Sequence, residues 1–351
     1  MPLHLYHLLV FIVSALVVLA TTPVVKSIGL KSGRVDLPSD RKVHKGPIVR
    51  LGGISIYLGT LVGLLVVWWS GGFIDANGQP LGVQQEYEIW GVTVGGLAFF
   101  LIGLADDLFS LSPLTRLLLQ ITVASLAWMV GVNIEFLTIP FVGLVHMGWL
   151  SLPITVIWLV GMANAINWID GLDGLAAGVS GIAAAVMLVV SLQMGQPAAA
   201  LIAAALAGGS LGFLRYNFNP AQIFMGDGGS YFLGFTLAAV GVIGFVKSTV
   251  VTSVLLPYII LAVPILDMSA VILDRLRHGK SPFIADKRHL HHRLLQAGLS
   301  QRLAVLFIYS LTLWVGSLAL AFSGLPSGLA YALGATGLLG YTSWKALKHA
   351  K

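Results

Sequence analysis

The chain has 351 residues, 57% of them hydrophobic and only 10% charged, with a net charge of +6, 41 glycines and no cysteine. So few charges cannot cover a globular surface, and so much apolar area cannot hide in one soluble core, which excludes an ordinary water-soluble enzyme. The missing cysteines exclude disulfides, thiolate nucleophiles, zinc fingers and iron–sulfur clusters. The composition is that of an integral membrane protein made of helices, and its glycines suit close helix packing in lipid.

Apolar runs long enough to cross a bilayer, about 20 residues each, recur in chain order. They are read at about 5–25, 51–69, 89–105, 114–131, 151–166, 175–192, 197–214, 229–246, 253–273, 303–322 and 327–345. The stretch 132–150 is apolar but broken by Pro140, Gly143 and Gly148, and is expected to be a short re-entrant piece or the place of a miscount. The first run lacks the basic leading segment and the small-residue cleavage site of a signal peptide, and is kept as a helix. With about 11 spans and the N-terminus outside, one side receives the loops 26–50, 106–116, 164–174, 215–228 and 274–302 and the C-terminus. Those segments hold 19 of the 20 Lys and Arg residues, Lys247 being the exception, so this side is read as cytoplasmic. The expected fold is therefore an all-α polytopic bundle with a cytoplasmic C-terminus. Residues 1–351 form a single membrane-embedded domain, and the active-site loops are the five just named. The basic excess is explained by topology, and nucleic acid is not needed as a partner.

Polar residues collect at the cytoplasmic helix ends. The outer side has Asp75, Glu86, Glu88 and Glu135, whereas the inner side has ten Asp and no Glu. Short carboxylates gathered near a bilayer point to function, and specifically to a cation. The first cluster is Asp106-Asp107 at the end of the third span, where the helix dipole disfavours an anion and a cation is needed to hold it. Ser112-Pro113 then caps the next helix, and Arg116, one turn in, is expected to reach back to the pair. The second cluster is Asn164, Asn167, Asp170 and Asp173, every third residue, read as one polar helical stripe closing on Gly171 and Gly174.

The third cluster runs from Arg215 through Asn217 and Phe224 to Gly226-Asp227-Gly228-Gly229-Ser230. A glycine-rich helix start offers N–H groups to an anion, and Asp227 beside it is compatible with phosphate only if a cation bridges them, Mg²⁺ being the ordinary solution. The fourth holds Asp274, Arg275, Arg277, Asp286, His289, His291, His292 and Arg293. On a helix beginning after Asp286, His289, His292 and Arg293 share a face and His291 points elsewhere. The basic neighbours favour phosphate over a metal there. Asp267, within a span, is read as a structural tie to Arg275 or Arg277, with lining of the site as the alternative. No P-loop, dinucleotide fingerprint or zinc-protease motif occurs.

At these residues the chain resembles the polyprenyl-phosphate N-acetylhexosamine-1-phosphate transferases, the WecA and TagO group, and more distantly MraY and the eukaryotic dolichyl-phosphate enzyme. The resemblance covers Lys45 to Arg293 and rests on four motifs in order. They are Asp106-Asp107, the Asn164–Asp173 stripe, Met225-Gly226-Asp227 with Ser230, and Ser281-Pro282-Phe283 leading to His289-Leu290-His291-His292. It implies transfer of N-acetylglucosamine 1-phosphate from UDP-GlcNAc to undecaprenyl phosphate, with release of UMP. This is the first lipid-linked step of a cell-surface polysaccharide such as lipopolysaccharide or teichoic acid, at the bacterial inner membrane. The resemblance further implies that Asp227 and Asn167 bind Mg²⁺, with Mn²⁺ as an alternative. Asp106 and Asp107 handle the lipid phosphate and, with Asp170, form the catalytic set. Lys45, Arg116, Asn164, Asp173, Asn217, Phe224, Arg275, Arg277, His289, His291 and His292 are the substrate-binding set, with Phe224 stacking on uracil. The implied partners are a UDP-sugar from the cytoplasm and polyprenyl phosphate from the bilayer, and a homodimer is allowed. Two other readings stand beside this one: an MraY-like phospho-MurNAc-pentapeptide transferase, and a transporter. The transporter is disfavoured because the polar groups lie at one face and not at mid-membrane.

Overall fold

The computed structural model describes residues 3–36, 46–75, 77–139, 143–246, 251–279 and 288–349. In chain order the elements are α1 (Leu3–Lys31), β1 (Val35–Asp36), β2 (Ile48–Val49), α2 (Gly53–Trp69), α3 (Val83–Phe109), α4 (Pro113–Met129), β3 (Phe136–Ile139) and β4 (Gly143–His146). There follow α5 (Ser151–Ile169), α6 (Leu175–Gln193), α7 (Pro197–Asn217), α8 (Gly226–Gly241), α9 (Val251–Ile260), α10 (Ala262–Arg277), α11 (Leu290–Gln296), α12 (Gln301–Phe322) and α13 (Gly328–His349). Among the described residues seven helices are long and apolar enough to cross a membrane, and α2 and α4 are shorter apolar helices. The protein is an all-α polytopic membrane protein.

The centre of the bundle is α8, whose spanning window is wholly buried, with α3 and α5 packed on it. Beside it lies α7, built from the near-continuous alanine run Ala198–Ala207, whose short side chains let α1 and α6 approach closely. At the periphery α1 and α13 expose Leu16, Val24, Ile28, Leu333 and Leu347, as lipid-facing helices do. Pro23 interrupts the hydrogen-bond ladder of α1 without ending the helix. The carbonyl of Leu19, which loses its N–H partner to the proline, accepts the Tyr216 hydroxyl at 3.0 Å.

Two local expectations change. The stretch 132–150 contains an antiparallel hairpin, with Phe136 opposite His146 and Ile139 opposite Gly143, followed by a 3₁₀ turn at Gly148–Leu150. Its apolar runs of four residues are long enough for strands and too short for a spanning helix. The single span read at 253–273 is two helices, α9 and α10, parted at Leu261. Pro264 has no N–H to give the carbonyl of Ile260, and the ladder parts there.

Candidate active site

The site gathers at one end of the bundle from five chain segments. Asp106 and Asp107 lie in the last turn of α3, where Gly103 lets that helix touch the start of α8; a Cβ at Gly103 would meet the carbonyl of Asp227. Ser112 caps α4 as expected, its hydroxyl accepting from the Thr115 N–H at 3.1 Å, with Pro113 at the first helical position. That start aims Arg116 back across the turn, and its Nη1 lies 2.5 Å from Asp106 Oδ2 and 3.4 Å from Asp227 Oδ2.

Asp227 sits in the first turn of α8 and is the hub. Its Oδ1 accepts from Asn167 Nδ2 at 3.1 Å and pairs with Arg50 Nη2 at 3.3 Å. The same amide nitrogen of Asn167 reaches the Ser230 hydroxyl at 2.9 Å. Arg50 also stands 3.6 Å from Asp107 Oδ1, a buried oxygen with no hydrogen-bond partner among the described residues. Asp107 Oδ2 accepts the Gly228 N–H at 3.1 Å. The helix start read as an anion nest therefore holds a carboxylate of its own chain, whose charge takes the place of an external anion at Gly228.

The stripe Asn164–Asp173 is only half helical, because α5 ends at Ile169. Asn164 turns to Gln120 of α4, 2.7 Å away, and Asn167 to Asp227. Asp170 caps α5 and Asp173 belongs to the following turn, which Gly174 closes with a positive φ of 79°. Burial pushes Asp170 up to about 7; Arg50 opposes the rise, and Asp107 and Asp173 add to it. Asp173 accepts from Asn219 Nδ2 at 2.9 Å and from the Ala221 N–H at 3.0 Å. Asn219 is held in turn by Gln301 and by Arg302. Asn217 is buried and donates to the Ile223 carbonyl at 2.9 Å, shaping the loop that presents half-buried Phe224.

The histidine segment is arranged differently from its reading. His289 and His291 are buried at 7% and 2% exposure, while His292 is half-buried and Arg293 exposed. His291, expected to point away, is the most enclosed of the three. Asp267 pairs with His289, Nδ1 to Oδ2 2.8 Å, in place of the arginine tie expected for it. Arg275 is buried with its guanidinium 5.4 Å from the Trp168 ring centroid, and Arg277 is exposed at the end of α10. Asp274 pairs with Arg288. Lys45, Ser281, Pro282, Phe283 and Asp286 lie outside the described residues.

Arg50 is the residue that sequence reading passed over. One signal marks it: a cation immediately before the apolar run 51–69, followed by the paired glycines Gly52 and Gly53. Among the described residues no three His or acid side chains form a ready-made metal cage. The oxygen set still suits a hard cation. Mg²⁺ takes one or two carboxylates and completes its shell with water and phosphate oxygens, and Asp227, the Asp107 Oδ1 that accepts no hydrogen bond among the described residues, and the Asn167 amide oxygen are donors of that kind.

The glycosyl transferase family 4 model matches residues 89–245. A probable undecaprenyl-phosphate N-acetylglucosaminyl 1-phosphate transferase of Bacillus subtilis is 41% identical over 300 residues, covering 85% of this chain and 80% of the relative. A decaprenyl-phosphate N-acetylglucosaminephosphotransferase of Mycolicibacterium smegmatis is 36% identical over 337 residues, covering 89% and 80%. An undecaprenyl-phosphate alpha-N-acetylglucosaminyl 1-phosphate transferase of Escherichia coli is 29% identical over 295 residues, covering 81% and 75%.

Proposed function

The chain belongs to the polyprenyl-phosphate N-acetylhexosamine-1-phosphate transferase family, enzymes of the phosphoglycosyl transferase type, and from that premise we propose that it moves N-acetylglucosamine 1-phosphate from UDP-GlcNAc to undecaprenyl phosphate. The observation that carries the proposal is the convergence of Asp106, Asp107, Asp227, Arg50 and Arg116 from three helices and a loop onto one membrane face. An oxygen of the lipid phosphate attacks the β-phosphorus of the donor. The bond from that phosphorus to the bridging oxygen breaks, and UMP leaves with the electron pair.

Such a transfer needs neutralised charge and fixed geometry more than covalent help from the protein. Arg50 and Arg116 supply positive charge where the two phosphates meet. Asp106 and Asp107, paired to those arginines, orient them and offset their mutual repulsion. A lipid phosphate monoester is largely dianionic at neutral pH, so it attacks without a strong base. When bound, Mg²⁺ screens the diphosphate and withdraws charge from phosphorus; Asp227 and Asn167 are the residues assigned to hold it. Asp173, Asn217 and Phe224 are assigned to the uridine end.

We place the site on the cytoplasmic face of the bacterial inner membrane, in a bundle of eleven crossings with α9 and α10 counted as one. The support is the one-sided distribution of Lys and Arg. The test is UMP release and lipid-product formation in membranes lacking other transferases, with UDP-GlcNAc and UDP-MurNAc-pentapeptide supplied at equal concentration. Turnover is expected with UDP-GlcNAc. A rate with the pentapeptide donor equal to or above it overturns the assignment.

A further inference from the structure

Asp267 is a buried acid that the transfer chemistry does not use. Its side chain is 6% exposed, and both oxygens are engaged by the histidine segment. Oδ2 accepts from His289 Nδ1 at 2.8 Å, and Oδ1 accepts the Leu290 N–H at 2.6 Å. One carboxylate from α10 thus fixes a side chain and the backbone of adjacent residues at the start of α11. Two donors on one carboxylate determine both position and rotation, as a single bond does not.

The His289 ring is itself wedged. Its edge meets Trp168 of α5, centroids 5.8 Å apart at 71°, and its face stacks on His291 at 5.7 Å and 9°. His291 then presses on the turn between α5 and α6. A Cβ at Gly171 would collide with His291 Nε2, a buried nitrogen that has no hydrogen-bond partner among the described residues. Gly171 stands between Asp170 and Asp173. A line of direct contacts therefore runs from Asp267 through His289 and His291 to the turn that carries two acids of the site.

We infer that Asp267 is a positioning residue for donor binding: it sets the histidine segment, and through His291 it sets the height of the Asp170–Asp173 turn against which the nucleotide end of the donor is held. The inference rests on the proposed reading that this turn meets a UDP-sugar. Asp267 touches no substrate. Its loss loosens the donor half of the site and leaves the Asp106, Asp107 and Arg116 side intact.

The test is a split of kinetic constants in the full-length enzyme in detergent or vesicles. Asp267→Ala is expected to raise the KM for UDP-GlcNAc at least tenfold, with the KM for undecaprenyl phosphate unchanged within twofold. Asp267→Asn keeps an oxygen for the Leu290 N–H and offers an amide N–H to His289 Nδ1 in its other neutral tautomer, and is expected to restore the donor KM to within threefold of wild type. Should Asp267→Ala lose its fold, a second pair carries the test. Gly171→Ala is expected to raise the donor KM tenfold in the native background and less than twofold when His291→Ala has removed the ring it strikes. An unchanged donor KM in folded Asp267→Ala, or an equal Gly171→Ala penalty in both backgrounds, overturns the inference. Direct binding of UDP-GlcNAc by equilibrium dialysis separates the two readings. Wild-type protein that fails to bind it overturns the proposed donor together with this inference. Wild-type protein and Asp267→Ala that bind it equally overturn this inference alone.

Discussion

Arg50 and Asp227 are 177 positions apart in the chain, and their side chains meet at 3.3 Å. The other oxygen of the same carboxylate faces Arg116 at 3.4 Å. Two cations from opposite sides thus share one acid at the first turn of the most buried helix. The consequence is a site whose positive charge is fixed before any phosphate arrives, which lowers the reorganisation needed at the moment of transfer.

Asp227→Asn is expected to remain folded and lose nearly all activity, because it removes the charge assigned to Mg²⁺ and the anchor of both arginines. Chelation of divalent cations from the wild-type enzyme should abolish turnover reversibly, and Mn²⁺ should restore it. Retention of more than about a tenth of the activity, about 1.4 kcal/mol of barrier, at saturating Mg²⁺ would remove Asp227 from the metal site.

Arg50→Ala should lower turnover about 100-fold, or about 2.7 kcal/mol, with the protein still extractable and monodisperse. Its guanidinium spans Asp107 and Asp227, 3.6 Å and 3.3 Å away. Lys26→Ala is the control. Among the described residues Lys26 reaches Gln222, at 3.4 Å, and its loss should leave turnover within twofold. Equal effects of the two variants would deny Arg50 its place.

Acid should weaken the fold through His291. Burial pushes its pKa down to about 3, and the neighbouring His292 and His289 press the same way against the opposing Asp267. The unfolded chain, with an ordinary histidine near 6.5, then binds the extra proton that the folded chain refuses. Stability is therefore lost as pH falls below about 6.5, by about 2 kcal/mol at pH 5. Thermal unfolding of wild type and His291→Gln between pH 5 and pH 8 reads this out: the wild-type midpoint should fall more steeply on the acid side. Parallel curves would contradict it.

A reporter fused after Lys351 should read cytoplasmic. The motivation is the 19 basic residues that eleven crossings place on one side. A reporter inserted at the 136–146 hairpin should read on the opposite side. Both reporters on one side would mean that a crossing has been miscounted.

The polytopic all-α class was legible in the sequence, because a helix in lipid must be apolar along its whole length and the signal is local. The start of α4 was legible for the same reason: Ser112, Pro113 and Arg116 act within two turns of one another. The acids of the site were visible as charges at helix ends, where lipid tolerates them least. Apart from Arg116, their partners were not. That Arg50 serves Asp227, that Asp107 fills the helix start of α8, and that Asp267 holds His289 are facts about which helix ends meet. A helix fixes the facing of residues three and four apart and nothing beyond. The stripe Asn164–Asp173 failed as a single face because α5 stops at Ile169, so half of its residues obey turn geometry. Tertiary packing decided these points: small residues such as Gly103 and Gly171 allow backbone or ring contact only where the bundle brings a partner within reach.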